Sequence, residues 1–356
     1  MAAVVAAGAL ALGVAACGGG NKSSTSGAAG GTVSGAGSTF AAPLYDELGN
    51  RVKSADGITI NYNPIGSGGG IAQFTAGTVD FGATDAAMKP DEIKAAEAKG
   101  TPVHIPTAFG AVTVAYNVPG LDKGLKLDGT TVADIFLGKI KKWNDPAIAK
   151  LNPGKKLPGT AITVAHRSDE SGTTKLFTEF LSDSNPTWKS KVGSDKTVKW
   201  PTGTGAKGND GVAGAIKQTD GAVGYVELAY ALQNNFATAD VKNSSGNFVA
   251  PTLQSTSAAG DGLKIPADLR FSAINSPNPQ AYPIASATFM LVYQDMCKAG
   301  LSKGTAQNLF GWANYIVGPG QKVAPDLQYA PLPTALDQKA KAKVDGLTCN
   351  GSPLKA

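Results

Sequence analysis

An α/β protein is predicted, and three observations carry the prediction. Apolar, β-rich runs alternate with amphipathic helical patterns from Thr32 onward. Two of the β-rich runs, near residues 103–116 and 282–293, are long enough to link two lobes, one leaving the first lobe and the other returning to it. Three segments rich in glycine and hydroxyl residues stand where a strand hands over to a helix, a place suited to anions. A single large sheet with long central strands is the alternative to two lobes.

The elements follow in order. "SGAGSTFAAPLY" puts Gly35, Gly37, Ser38 and Thr39 after a strand and before a helical pattern, and "ITINYNPI" alternates as a strand. "GGGIAQFTAGTV" reads as a glycine-opened helix, and "VDFGATDA" as a strand running into a loop. "PDEIKAAEAKG" carries proline and acids at its start and glycine at its end, the signature of a short helix. "TVADIFLGKI" predicts a helix, "AITVAHR" a strand and "TTKLFTEFLSD" a helix. "DGVAGAIKQTDGAVGYVE" reads as helix, turn and strand. After the second long β run, "GTAQNLFGWANYIVGPG" and "PTALDQKAKAKVDG" are helical patterns. No fixed-period repeat is visible.

The 356 residues are enough for two domains with real cores. Charged residues make up 17% and apolar ones 42%, and the formal charge is +5 with the lysines dispersed. No basic run with interleaved aromatics points to nucleic acid. With two histidines and no cysteine cluster, no metal site is read from the sequence.

The N-terminus, "MAAVVAAGALALGVAAC", is too short for a spanning helix and reads as the hydrophobic region of a signal peptide over residues 1–17. The small residues before Cys17 resemble a bacterial lipobox, which predicts lipidation of Cys17; an ordinary secretory signal with an incidental cysteine is the alternative. No Lys or Arg precedes the apolar run, so a basic segment upstream of Met1 is expected. Residues 18–31 read as a Gly/Ser-rich tether, spanning on the order of 20 Å as a flexible coil. Outside the cytoplasm the isolated pair Cys297 and Cys349 is expected to oxidise, two separate buried thiols being the alternative. Bridged, the loop would contribute about 4 kcal/mol by restricting the unfolded chain.

"HRSDESGTTKLF" places Arg167, two acids and Ser171-Gly172-Thr173 directly ahead of a helix, and "PIGSGGGIAQF" places Ser67 ahead of another. "DFGATDAAM" ends a strand at Asp85. Each start alone is ordinary capping; three in one α/β framework with one acid suggest convergence on an anion. Together, "GAGSTFAAPLY", "IGSGGG", "DFGATDA", "LGKIKKWNDPAIAKLNPG", "HRSDESGTT", "VKWPTGTGAKGNDGVAGAI" and "GAVGYVELAYA" resemble the phosphate-binding proteins of bacterial high-affinity ABC phosphate importers, from about Thr32 to about Leu347.

The resemblance implies a type II periplasmic-binding-protein fold of two α/β lobes joined by two crossing strands, with the ligand cleft between them. Lobe I would comprise 32–106 with 285–348, lobe II 107–284, and 349–356 a C-terminal tail. It also implies a ligand, inorganic phosphate, with no cofactor and no catalysis. By motif, Thr39 and Phe40 would supply a hydroxyl and a main-chain N–H, and Ser67 both. Asp85 would accept a proton from the ligand, Arg167, Ser171, Gly172 and Thr173 would form the facing wall, and Asp169 would hold the arginine fork. Glu170 is expected to point to solvent, since a carboxylate aimed at a dianion is repulsive. "GTGAKGNDGVAG" reads as a structural loop near the cleft, and His104 and His166 as strand residues. The implied partners are ABC permease subunits with their cytoplasmic ATPase, and the implied setting is a monomer lipid-anchored on the outer side of the cell membrane. Three competing readings are weighed: a binder of another tetrahedral oxyanion, against which the acceptor Asp85 argues; a surface phosphate sensor; and a hydrolase using Ser171 or Ser67, for which no nucleophile elbow or metal cluster is present in the sequence.

Overall fold

The computed structural model describes residues 30–355. The expected signal segment, Cys17 and nearly all of the tether lie outside the described residues.

Strand β1 (Thr32–Gly37) leads into helix α1 (Ala42–Asp56), which has proline in its first turn and left-handed Gly57 at its end. Then come β2 (Thr59–Asn63), α2 (Ser67–Ala76), β3 (Phe81–Thr84) and α3 (Pro90–Ala96). The Glu92 side chain accepts from the Lys89 N–H and so caps α3. The long strand β4 (Pro102–Asn117) follows, then β5 (Leu125–Leu127), α4 (Gly129–Phe136) and α5 (Pro146–Leu151). Next are β6 (Thr163–Arg167), α6 (Gly172–Ser184), α7 (Pro186–Lys191), β7 (Thr204–Ala206), α8 (Gly208–Gln218), β8 (Ala222–Glu227) and α9 (Leu228–Gln233). The chain continues through β9 (Ala237–Lys242), β10 (Phe248–Val249), α10 (Leu253–Ala258) and β11 (Ala285–Tyr293). It closes with α11 (Lys303–Val317), α12 (Gly320–Val323) and α13 (Thr334–Asp345).

The strands run in the order β2-β1-β3-β11-β4-β8-β6-β7, with β5 and β10 attached through β9. β4 changes partner along its length. Residues 102–111 pair antiparallel with β11, and 112–117 pair antiparallel with β8. β1, β2 and β3 are mutually parallel through β1, as are β6, β7 and β8 through β6. In parallel α/β sheets ligands sit beyond the carboxyl ends of the strands. Here β1, β3 and β6 all end within two residues of Ser38, Asp85 and Arg167. The register between β11 and β4 shifts between Thr288 and Phe289, where β4 carries Thr107 as the extra, unpaired residue.

Both long strands are buried almost throughout, and Trp143, Trp188, Trp312, Tyr45, Tyr225 and Phe109 are all enclosed. Cys297 and Cys349 are joined by a disulfide. The last residues fold rather than trail: Thr348–Cys349 pairs with Ser352–Pro353, and Leu354 is buried in the core. No helix among the described residues is long and apolar enough to cross a membrane.

Candidate functional site

Three turns converge at the strand ends. The first, Ser38-Thr39-Phe40, is held by three tyrosines from distant parts of the chain. Tyr62 Oη donates to the Ser38 carbonyl at 2.7 Å, Tyr230 Oη to the Thr39 carbonyl at 2.6 Å, and Tyr329 Oη to the Phe40 carbonyl at 2.6 Å. In a trans peptide the next N–H points opposite to the carbonyl, so the Thr39 and Phe40 N–H groups are turned away from the tyrosines. The second turn brings Ser67 to the start of α2, and the third brings Ser171-Gly172-Thr173 to the start of α6. Ser171 Oγ caps α6 by accepting from the Thr174 N–H at 3.1 Å.

Ser67 Oγ is where the two sides meet. It accepts from the Gly172 N–H at 3.1 Å and from the Asp85 N–H at 3.3 Å, and it lies 3.4 Å from Asp85 Oδ2. Only glycine fits at 172, because a Cβ there would come within 2.6 Å of Asp85 Oδ2 and 2.5 Å of Ser67 Oγ. Asp85 is buried, and its Oδ1 accepts from both Ser38 Oγ and Thr288 Oγ1, the latter at 2.9 Å. Its Oδ2 has only the long Ser67 contact and faces Gly172. Burial pushes the Asp85 carboxyl up to about 6, against the opposing pull of Ser38, Thr288, Arg167 and Ser67.

Arg167 is buried at the end of β6. Its Nε donates to Asp169 Oδ1 at 2.7 Å, one terminal nitrogen donates to Asp169 Oδ2, and the other donates to Thr173 Oγ1 at 3.3 Å. One N–H on each terminal nitrogen is left for another acceptor. Burial opposes ionisation of Asp169, but Arg167 and the Gly208 N–H, 3.1 Å away, outweigh it and hold the carboxyl below its usual value. Glu170 turns outward. Its side chain is 50% exposed and runs over Gly68, where a Cβ would come within 2.1 Å of Glu170 Cδ.

The eight residues expected from sequence to face the ligand, Thr39, Phe40, Ser67, Asp85, Arg167, Ser171, Gly172 and Thr173, are buried and lie in one neighbourhood with Asp169. Sequence reasoning passed over the groups that hold them. Asn209, at the start of α8, donates through Nδ2 to Thr39 Oγ1 at 2.9 Å and to Thr173 Oγ1 at 3.3 Å. The Glu227 N–H, donating to Asn209 Oδ1 at 3.0 Å, fixes the orientation of that amide. The "GTGAKGNDG" loop is therefore built into the neighbourhood rather than merely beside it. Ser38, Asn209 and Tyr230 lie within the family-like motifs "GAGSTFAAPLY", "VKWPTGTGAKGNDGVAGAI" and "GAVGYVELAYA", and Tyr62 within the strand "ITINYNPI", whereas Thr288 and Tyr329 carry no local signal. His104 accepts from the Met88 N–H, and burial and Arg270 push it down to about 3; His166 stacks on Trp200. Among the described residues no group of His, Cys, Asp and Glu is arranged to hold a metal.

Thr288 yields a prediction that needs no ligand. Between 3.8 and about 6 the folded chain holds the Asp85 proton more tightly than the unfolded chain, so stability falls as pH rises across that window. Thr288 donates to the ionised carboxyl and limits that fall. Thr288→Val is expected to push Asp85 above 6 and to destabilise by about 1–3 kcal/mol at neutral pH, with a smaller loss below pH 5. Denaturation from pH 4 to 8, referenced to Asp85→Asn, checks this; a loss equal at every pH would mean that Thr288 contributes packing alone.

A family model described as a PBP superfamily domain matches residues 22–319. The phosphate-binding protein PstS of Pasteurella multocida is 42% identical over 315 residues, covering 88% of this chain and 89% of its own length. The chain belongs to the PstS family of phosphate-binding proteins. The PstS of Haemophilus influenzae is 39% identical over 317 residues, 88% of this chain and 92% of that one. Among solved structures, the phosphate-binding protein from Stenotrophomonas maltophilia superposes with a TM-score of 0.67 at 20% identity, covering 88% of this chain and 93% of that one. That likeness is one of fold, and with the PstS membership it gives this chain the two-lobed periplasmic-binding fold.

Proposed function

We propose that this protein binds inorganic phosphate outside the cytoplasm and delivers it to an ABC-type permease with its cytoplasmic ATPase. The observation that carries the reading is the pairing of one buried carboxylate, Asp85, with a ring of neutral donors and a single arginine already balanced by Asp169. The donors suit a small, dehydrated dianion. The lone acceptor suits an anion that still carries a proton. The membership of the PstS family supports the same reading.

In this proposal Thr39, Phe40, Ser67 and Asp85 of one lobe and Arg167, Ser171, Gly172 and Thr173 of the other enclose phosphate, and Asp169 orients Arg167. The lobes are 32–106 with 285–348, and 107–284. The partner-switching of β4 supports this division, since one strand serves both parts. The protein acts as a monomeric binder rather than an enzyme, anchored by a lipid on Cys17. The small residues before Cys17 and the Gly/Ser-rich stretch after it support that anchor.

Ligand that binds only the native state adds about 4 kcal/mol of stability at a thousandfold excess over Kd. Phosphate is therefore expected to raise the melting temperature, with sulfate at matched ionic strength leaving it unchanged. An equal rise with both salts would favour a general oxyanion binder. Turnover of a phosphate ester abolished by Ser171→Ala would favour the hydrolase reading.

A further inference from the structure

Two ion pairs of opposite polarity join the proposed lobes away from the phosphate neighbourhood. Lys89 Nζ lies 2.6 Å from Asp195 Oδ2, and Lys196 Nζ pairs with Glu92 Oε1. Lys89 and Glu92 sit at the start of α3, a few residues beyond Asp85. Asp195 and Lys196 sit on the loop after α7, more than a hundred residues later. That loop is tied to α6: Lys175 Nζ donates to Ser194 Oγ at 3.0 Å, and the Asp195 N–H donates to Thr178 Oγ1 at 3.3 Å. It is also tied to the candidate site, because the Ser171 N–H donates to the Lys196 carbonyl at 2.9 Å.

The two pairs differ in setting. The Lys89 and Asp195 side chains are 43% and 40% exposed, where an ion pair contributes little. The Lys196 side chain is only 3% exposed and that of Glu92 17%. A buried ammonium needs a partner, and removing that partner leaves an uncompensated charge. Glu170 Oε1, 3.9 Å from Lys196 Nζ, adds a second carboxylate beside it. The alternating signs, positive then negative on α3 and negative then positive on the loop, match in one register only.

We propose that Lys89–Asp195 and Glu92–Lys196 form a latch that holds the two lobes together and sets the rate at which phosphate leaves. This rests on the two-lobed phosphate-binding reading above. The four residues act on the bound state through lobe closure, so they are positioning residues. With the lobes apart, each charge is free to hydrate and Lys196 regains its side-chain freedom. Closure orders Lys196 against Glu92, and the Lys196 carbonyl then steadies the Ser171 N–H.

The test is the exchange of labelled inorganic phosphate from the full chain, with association and dissociation rates measured separately. Glu92→Gln removes the charge but keeps an amide oxygen to cap α3. Asp195→Asn keeps an oxygen for the Lys196 N–H. Glu92→Gln is expected to raise the dissociation rate about tenfold with the association rate changed by less than about threefold. Asp195→Asn is expected to raise it less, and the double charge exchange Glu92→Lys with Lys196→Glu to restore part of the loss. Added salt should speed release from the wild type more than from the Glu92→Gln/Asp195→Asn double variant. Melting without phosphate checks that each variant folds; should Glu92→Gln unfold, the exposed Asp195→Asn pair and the salt dependence decide. Dissociation rates in the folded variants within about twofold of a wild type that binds phosphate would overturn the latch alone. A wild type that binds no phosphate would overturn the reading beneath it.

Discussion

Replacing Arg167 by Ala is expected to weaken phosphate binding by about 2–5 kcal/mol, the usual result of truncating one partner of a buried charged pair. At about 1.4 kcal/mol per factor of ten, that is a loss well beyond tenfold. Two effects combine. The remaining N–H groups of the fork are lost to the anion, and Asp169 loses the partner that neutralises it. Asp169 keeps the Gly208 N–H and would stay charged, facing the dianion. The double variant Arg167→Ala/Asp169→Asn should therefore regain part of the loss, which separates missing attraction from unmasked repulsion. Calorimetry showing wild-type affinity in Arg167→Ala would remove Arg167 from the binding wall.

Asp85→Asn is expected to change which anion binds. The Asp85 carboxylate is an obligatory acceptor, and phosphate near neutral pH has a proton to offer whereas sulfate has none. Sites built to bond one polar group reject an analogue lacking it by roughly 10⁴–10⁵. The local bonds predict how the amide would sit. Two hydroxyls, Ser38 Oγ and Thr288 Oγ1, point at Oδ1, so the asparagine oxygen takes that place. The NH₂ group then falls where Oδ2 faces Gly172, turning an acceptor into a donor. The phosphate-to-sulfate ratio should narrow, chiefly through gained sulfate binding, with the fold intact. Titration of both anions into wild type and variant at one pH and ionic strength checks it. A variant that still excludes sulfate fully would move discrimination to the donors around Ser67 and Thr173.

The α/β class, the long strands and the helix starts are all legible along the chain. Those signals are local. Alternating apolar residues, a glycine ending a helix, or Ser-Gly-Thr ahead of an apolar stripe act within one or two turns of the chain. For the same reason Ser67, Asp85, Arg167 and Ser171 are legible as a candidate set: each is ordinary alone, but together they repeat polar element ends, and the family resemblance supplies their roles. The six-residue helices α5, α7, α9 and α10 and the short strands β5, β7 and β10 are too brief to show a period, and tertiary contacts stabilise them.

What holds the set in place depends on contacts between residues far apart in the chain. Thr288 reaches Asp85 across 203 residues of sequence, Asn209 reaches Thr39 across 170, and Tyr329 reaches Phe40 across 289. The pairing of Glu92 with Lys196 spans 104. A threonine in a buried strand or a lysine in a polar loop looks ordinary along the chain, because its meaning depends on what the fold brings opposite it. A buried carboxylate must find donors and a buried ammonium must find a carboxylate. That demand is met through space, where sheet order and strand register, rather than spacing in sequence, decide which groups meet.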